Sequence, residues 1–93
     1  MFVVICYDIS DDRRRYRIEK AISNHAYRVQ ESVFEAHVAE KDFVELRRRV
    51  VKLMDPSLDN VRYYYLCKTC ISAVDADGVG LPPDEDEDVT VVV

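Results

Sequence analysis

The sequence predicts an α+β sandwich, two helices laid on one face of an antiparallel sheet in the order βαββαβ, with a further strand at the C-terminus. Three observations carry this. An apolar, β-branched run, "FVVICYDI", opens the chain at residues 2–9. Two amphipathic segments follow, near 12–24 and 40–55, each bounded by strand-like stretches. Runs of strands interleaved with helices that are apolar along one side give a two-layer α+β architecture.

The opening run is continuously apolar and reads as a central strand buried on both faces. It ends in a carboxylate, Asp8. Ser10, Asp11 and Asp12 come next, residue types that cap a helix and suit the positive end of its dipole. The helix they start is expected over Asp12 to Asn24, with Ile18, Ala21 and Ile22 on its inner face.

"YRVQESVFEAHV" (27–38) alternates, but its phase breaks. Tyr27 and Val29 share one parity, whereas Phe34, Ala36 and Val38 share the other. A slip in a period of two marks a bulge or tight reversal between two short strands, near Glu31 to Val33. "EKDFVELRRRVVKLMD" (40–55) places Phe43, Leu46, Val50, Leu53 and Met54 on one helical stripe, and Pro56 stops it. "NVRYYYLC" (60–67) is aromatic and β-prone, and "ISAVDA" (71–76) suggests a short further strand.

Residues 1–77 thus form the folded domain. A Gly/Pro-punctuated acidic linker, 78–88, follows, and "VTVVV" (89–93) closes the chain. Five apolar residues beyond a linker are stable as a strand only against an exposed sheet edge, their own or that of a second copy. The helix-free face of the sheet is apolar as well. A two-fold homodimer packed sheet on sheet would cover it.

At 93 residues the chain is one small domain. No stretch approaches the length of a membrane span, and the start has the look of a strand rather than a signal peptide, so a cytoplasmic protein is expected. The net charge of −5 argues against nucleic acid until its distribution is considered. Before residue 75 stand 13 basic and 11 acidic residues, a balance of +2, and from 75 onward seven acids and no base. A mildly basic body with an acidic tail leaves nucleic acid open as a partner.

Four groups of side chains are candidates for chemistry. Asp8, at a strand end beside a helix start, either holds a metal ion or caps the helix. One carboxylate alone is few for Mg2+, so a metal role needs a two-fold axis that brings a second Asp8 to the first. Arg13, Arg14, Arg15 and Arg17 either contact phosphate, for which arginine is suited, or form a solvated helix face balanced by Asp11, Asp12 and Glu19. Arg47, Arg48, Arg49 and Lys52 make a second basic patch, diluted by Glu40, Asp42 and Glu45. Phe34 and the run Tyr63, Tyr64 and Tyr65 either stack on bases or pack.

Three cysteines, Cys6, Cys67 and Cys70, are an odd number and fit a reducing compartment. Cys67 and Cys70 form a CxxC. Without a recognisable helix behind it, that motif reads as buried or turn thiols. His25 and His37 lack metal-ligand spacing.

Taken together, "YDISDDRRRYR", "RVQESVFE" and "LCKTC" resemble the CRISPR-associated endonuclease family, the small second protein of the pair that captures new spacers. The likeness runs nearly end to end and takes in Tyr7 and Asp8, the Arg-rich first helix, and Arg28, Gln30, Ser32, Val33, Phe34 and Glu35. The resemblance implies a ferredoxin-like homodimer whose C-terminal strand joins the partner's sheet. It implies Asp8 as a ligand of one Mg2+ shared by two subunits, and cleavage of RNA or double-stranded DNA. Tyr7, Ser10, Ser32 and Phe34 become supporting positions of that site, and Arg28 joins the arginines that hold nucleic acid. It further implies a bridging role between copies of the CRISPR integrase, which needs no chemistry at Asp8. The alternatives are a non-catalytic DNA-binding scaffold and a toxin-like RNase of similar fold. Ala26 stands where the family commonly has Gly, which bears on the backbone geometry after the first helix. The acidic linker is expected to face the integrase or solvent, away from phosphates.

Overall fold

The computed structural model of the chain describes residues 1–75 and 77. Its elements are β1 (Phe2–Asp8), α1 (Asp12–Ser23), β2 (Tyr27–Gln30), β3 (Val33–His37), α2 (Glu40–Leu53), β4 (Asn60–Leu66) and α3 (Lys68–Ser72). The four strands form one antiparallel sheet in the order β2-β3-β1-β4, so the opening run is central, as its composition predicts. This is the βαββαβ order of a ferredoxin-like sandwich, and α3 is added after it.

Parity along β1 sorts its residues to the two faces. Val3, Ile5 and Tyr7 point under α1 and α2 and join Ile18, Ile22, Phe34, Leu46 and Val50 in one core. Each fully buried aliphatic or aromatic side chain there contributes about 1.5–3 kcal/mol. Phe2, Val4, Cys6 and Asp8 occupy the other face. Phe2 is buried there against Ile71 of α3, whereas Val4 and Cys6 are only half-buried. The expectation of a strand buried on both faces is therefore corrected: a continuous apolar run does not reveal that only one face is roofed by long helices.

The helices stand where the apolar stripes put them. Asp11 caps α1, its carboxylate accepting the Arg14 N–H at 2.8 Å, and Asp12 lies in the first turn. Ser10 is exposed and outside the cap. The helix ends at Asn24, in the ordinary right-handed region. Phe43, Leu46 and Val50 of α2 are buried, and Leu53 and Met54 pack at the margin of the same core. Met54 turns to extended backbone two residues before Pro56.

The phase break in 27–38 is resolved as two strands joined through Glu31 and Ser32, with a register shift between Arg28 and Gln30. In β4, alternation splits the tyrosines. Tyr63 and Tyr65 meet the Phe43 ring edge-on at 5.3 and 5.7 Å, and Tyr64 takes the other parity, opposite Val4.

Two expectations beyond β4 are corrected. The stretch 71–76 supplies no strand among its described residues. The chain turns after Leu66 into α3, closed by the Ile71 N–H on the Cys67 carbonyl at 2.9 Å, and Ile71 covers Phe2. A short apolar run carries no period by which to tell the two apart. Cys67 and Cys70 are neither buried nor in a simple turn: both are exposed at the start of α3. The linker 78–88 and the strand expected at 89–93 lie outside the described residues. Among the described residues no helix is long and apolar enough to cross a membrane.

Candidate metal and nucleic-acid site

The end of β1 presents two adjacent side chains with opposite fates. Tyr7 points toward the helices and is buried. Its hydroxyl donates to the Glu19 carboxylate at 2.5 Å, and the Glu31 carbonyl lies 3.1 Å away as a longer alternative acceptor. Burial, the hydrogen bond to Glu19 and that residue's charge push the Tyr7 hydroxyl well above its usual range, so it remains a protonated donor. The other Glu19 oxygen accepts from Arg28 at 3.0 Å, and the Arg28 guanidinium lies over the Phe34 ring, 5.2 Å from its centre. The chain Tyr7–Glu19–Arg28, seated on Phe34, ties β1, α1 and β2 together below the strand end.

Asp8, one residue on, is exposed and paired across the strands with Asn60. Its carboxylate has no hydrogen bond or ion pair among the described residues. The neighbouring acids are engaged: Asp11 caps α1, Asp12 binds Arg15 at 2.5 Å, and Asp59 binds Arg14. The two open roles for Asp8 are thereby separated, because the helix start is capped by Asp11. Asp8 lines an open, polar groove of about 460 Å3 together with Arg15, Glu19, Arg28, Glu31 and Ser32. Among the described residues no three His, Cys, Asp or Glu side chains are grouped to hold a metal ion.

The four arginines of α1 divide. Arg13 and Arg17, one turn apart, are exposed and enter no hydrogen bond or ion pair with the described residues. Arg15 rests on its own strand end, donating to the Ile9 carbonyl at 3.2 Å and to Asp12, and also lines the groove. Arg14 is committed elsewhere. Its Nε and Nη2 reach the two oxygens of Asp59 at 2.5 and 2.9 Å, and the Asp59 side chain is fully enclosed. Arg14 as a nucleic-acid contact is therefore corrected to a structural clamp. Its place in an Arg-rich run hid this, since nothing in the run points to an acid 45 positions away.

Phe34 is corrected as well: at 2 % exposure, beneath Arg28 and 6.1 Å from the Tyr7 ring, it supports Arg28 and offers no free face to a base. Ser32 is exposed at the β2–β3 turn, and its carbonyl accepts the Tyr7 N–H at 3.2 Å. In the second basic patch, Arg47 lies over Tyr63 and donates to the Tyr65 hydroxyl at 3.2 Å, and Arg48 pairs with Glu45 at 3.0 Å. Glu19 and Asp59 are the site and support residues that sequence reasoning underused. Only the phase of Glu19, one turn before the helix end on the inner side, hinted at its part.

The chain matches the family model described as CRISPR associated protein Cas2 over residues 1–74. It is 37% identical over 93 residues to a protein of Chloroflexus aurantiacus named CRISPR-associated endoribonuclease Cas2 1, covering 99% of this chain and 100% of that one. A Thermus thermophilus relative named CRISPR-associated endonuclease Cas2 2 is 36% identical over 80 residues, 86% of this chain and 84% of its own. The crystal structure of Streptococcus pyogenes Cas2 superposes with a TM-score of 0.74 at 30% identity, over 84% of this chain and 100% of that one. With a family match across most of its length and the same sheet order beneath it, the chain belongs to the CRISPR-associated Cas2 family.

Proposed function

We propose that this protein acts as a homodimer in CRISPR adaptation, holding duplex nucleic acid, bridging the CRISPR integrase and cleaving phosphodiester bonds with Mg2+ held between two copies. The observation that carries the reading is the unengaged, exposed Asp8 carboxylate in a groove that also contains Arg15 and Arg28. A lone carboxylate fits Mg2+, which keeps several waters and takes few protein ligands, and the second Asp8 would come from the other copy. When bound there, the ion would supply an activated water and neutralise charge developing on the scissile phosphate.

The chain's own residues have separable tasks. Arg13 and Arg17 attract and position the backbone without reading bases. Arg28, fixed by Glu19 and Phe34, presents its remaining donors at the groove. Tyr7 holds Glu19 in place, and through it Arg28. The names of the relatives support nuclease activity in this family, one as an endoribonuclease and one as an endonuclease.

The test compares Asp8→Asn with the parent in Mg2+-dependent cleavage of RNA and of double-stranded DNA, with binding measured in parallel. The variant is expected to bind normally and to lose cleavage. Equal cleavage by both proteins would remove the catalytic role of Asp8. A second reading, a non-catalytic scaffold, is favoured by the absence of any three-ligand group among the described residues of one chain. Binding without cleavage by the parent, under any metal or pH, would establish it.

A further inference from the structure

Where β4 ends, two thiols meet that the reading above does not use. Cys67 stands at the N-cap of α3 and Cys70 in its first turn. Both are exposed and their Sγ atoms are 3.4 Å apart. A disulfide bond is about 2.05 Å long, so the remaining gap is one that side-chain rotation can close. The Cys67 thiol is lowered from its ordinary value by the Cys70 backbone N–H first and by the Cys70 thiol next. A thiol so placed is the better nucleophile at neutral pH. The third cysteine, Cys6, is half-buried in β1 opposite Arg62 and is not part of the pair.

We propose that Cys67 and Cys70 form a thiol–disulfide exchange site whose co-substrate is a low-molecular-weight disulfide. The Cys67 thiolate attacks one sulfur of that disulfide; a mixed disulfide forms, and the first small thiolate leaves and takes a proton from water. The Cys70 thiol gives its proton to water and attacks the Cys67 sulfur. The protein disulfide forms, and the second small thiolate leaves and is protonated in turn. The protein has then lost two electrons and two protons, and the oxidant has become two thiols. Reducing conditions run the sequence backward.

The location gives the exchange a structural reach. Cys67 follows Leu66, which pairs with Phe2 across the sheet, and Ile71, one residue after Cys70, buries Phe2. The redox pair therefore sits on the cap that closes one end of the helix-free sheet face.

The test is exposure of the full chain to oxidised glutathione, an acid quench, alkylation and mass spectrometry. Expected is a species lighter by two hydrogens, with the bond mapped to Cys67 and Cys70 and Cys6 alkylated. Cys70→Ser is expected to stop at a single glutathione adduct on residue 67. Cys67→Ser is expected to slow adduct formation by about tenfold, following the loss of the more ionised thiol. Circular dichroism confirms that both variants are folded. Adducts spread evenly over all three cysteines, or absence of the internal disulfide while the guanidine-unfolded chain oxidises, would overturn the proposal.

Discussion

Arg14 of α1 and Asp59, in the loop before β4, form a two-pronged ion pair across 45 positions of sequence, at 2.5 and 2.9 Å. The same carboxylate accepts the Asp55 N–H at 2.8 Å. It thereby fixes both the approach to β4 and the side of α1 nearest to it. Hydrogen bonding to Arg14 holds the Asp59 carboxyl below the usual carboxylate range.

Asp59→Asn keeps the shape and removes the charge, leaving the guanidinium without its partner. The melting temperature is expected to fall by roughly 5 °C or more at neutral pH, the response of a small domain to a loss of about 1 kcal/mol or above. Because the folded value is depressed, the stability due to Asp59 is complete above the unfolded value of about 3.9 and disappears as pH falls through the folded one. The parent and variant should therefore converge in thermal melts taken toward low pH.

Glu35 has the opposite sign. It lies on the helix-free face, opposite Val4, and burial raises its carboxyl above the ordinary value. Its contribution to stability is fullest below the unfolded value of about 4.3 and is lost as pH rises through the folded one. Glu35→Gln is expected to raise the melting temperature at pH 7 and to make no difference below pH of about 4. Melts at the two pH values decide it.

The split among the arginines gives a binding prediction. Arg13→Ala and Arg17→Ala, exposed and unengaged, are expected to weaken duplex binding and each to reduce the slope of log affinity against log salt by about 0.9. Arg14→Ala should lower the melting temperature instead and leave that slope unchanged. Fluorescence anisotropy across a salt series separates the two outcomes. Unaltered slopes in both exposed variants would contradict the assignment.

Tyr63 tests the core. Its ring packs on Phe43 and under Arg47, but its buried hydroxyl has no hydrogen-bond partner. Removing an unsatisfied buried hydroxyl at constant shape costs nothing and relieves its desolvation. Tyr63→Phe is expected to be neutral or stabilising by up to about 1 kcal/mol in urea unfolding, whereas Phe43→Ala should cost about 3–5 kcal/mol.

The legibility of these features in the sequence follows their range. The stripe Phe43–Leu46–Val50, the cap at Asp11 and the phase slip around Glu31 are local, so period and residue type disclosed them. Asp8 was legible as a candidate because it ends an apolar run. The Arg14–Asp59 clamp, the seat of Arg28 on Phe34 and the burial of Phe34 depend on strands and helices brought together from distant segments. Residue types in a row do not report that. α3 was missed for another reason: five residues are too few to show a helical period.

Tyr7 and Asp8 differ in fate only because they differ in parity along β1. A single-residue insertion or deletion between Phe2 and Tyr7 would exchange them, placing a carboxylate under the helices and a phenol at the groove, while the same shift turned Val3 and Ile5 out of the core. Position 8 is thus guarded against frame-preserving length changes in the strand by the folding of the whole domain. Point substitution remains open to it. A chain that folds with β1 in this phase always delivers residue 8 to the outer face, whichever side chain is written there.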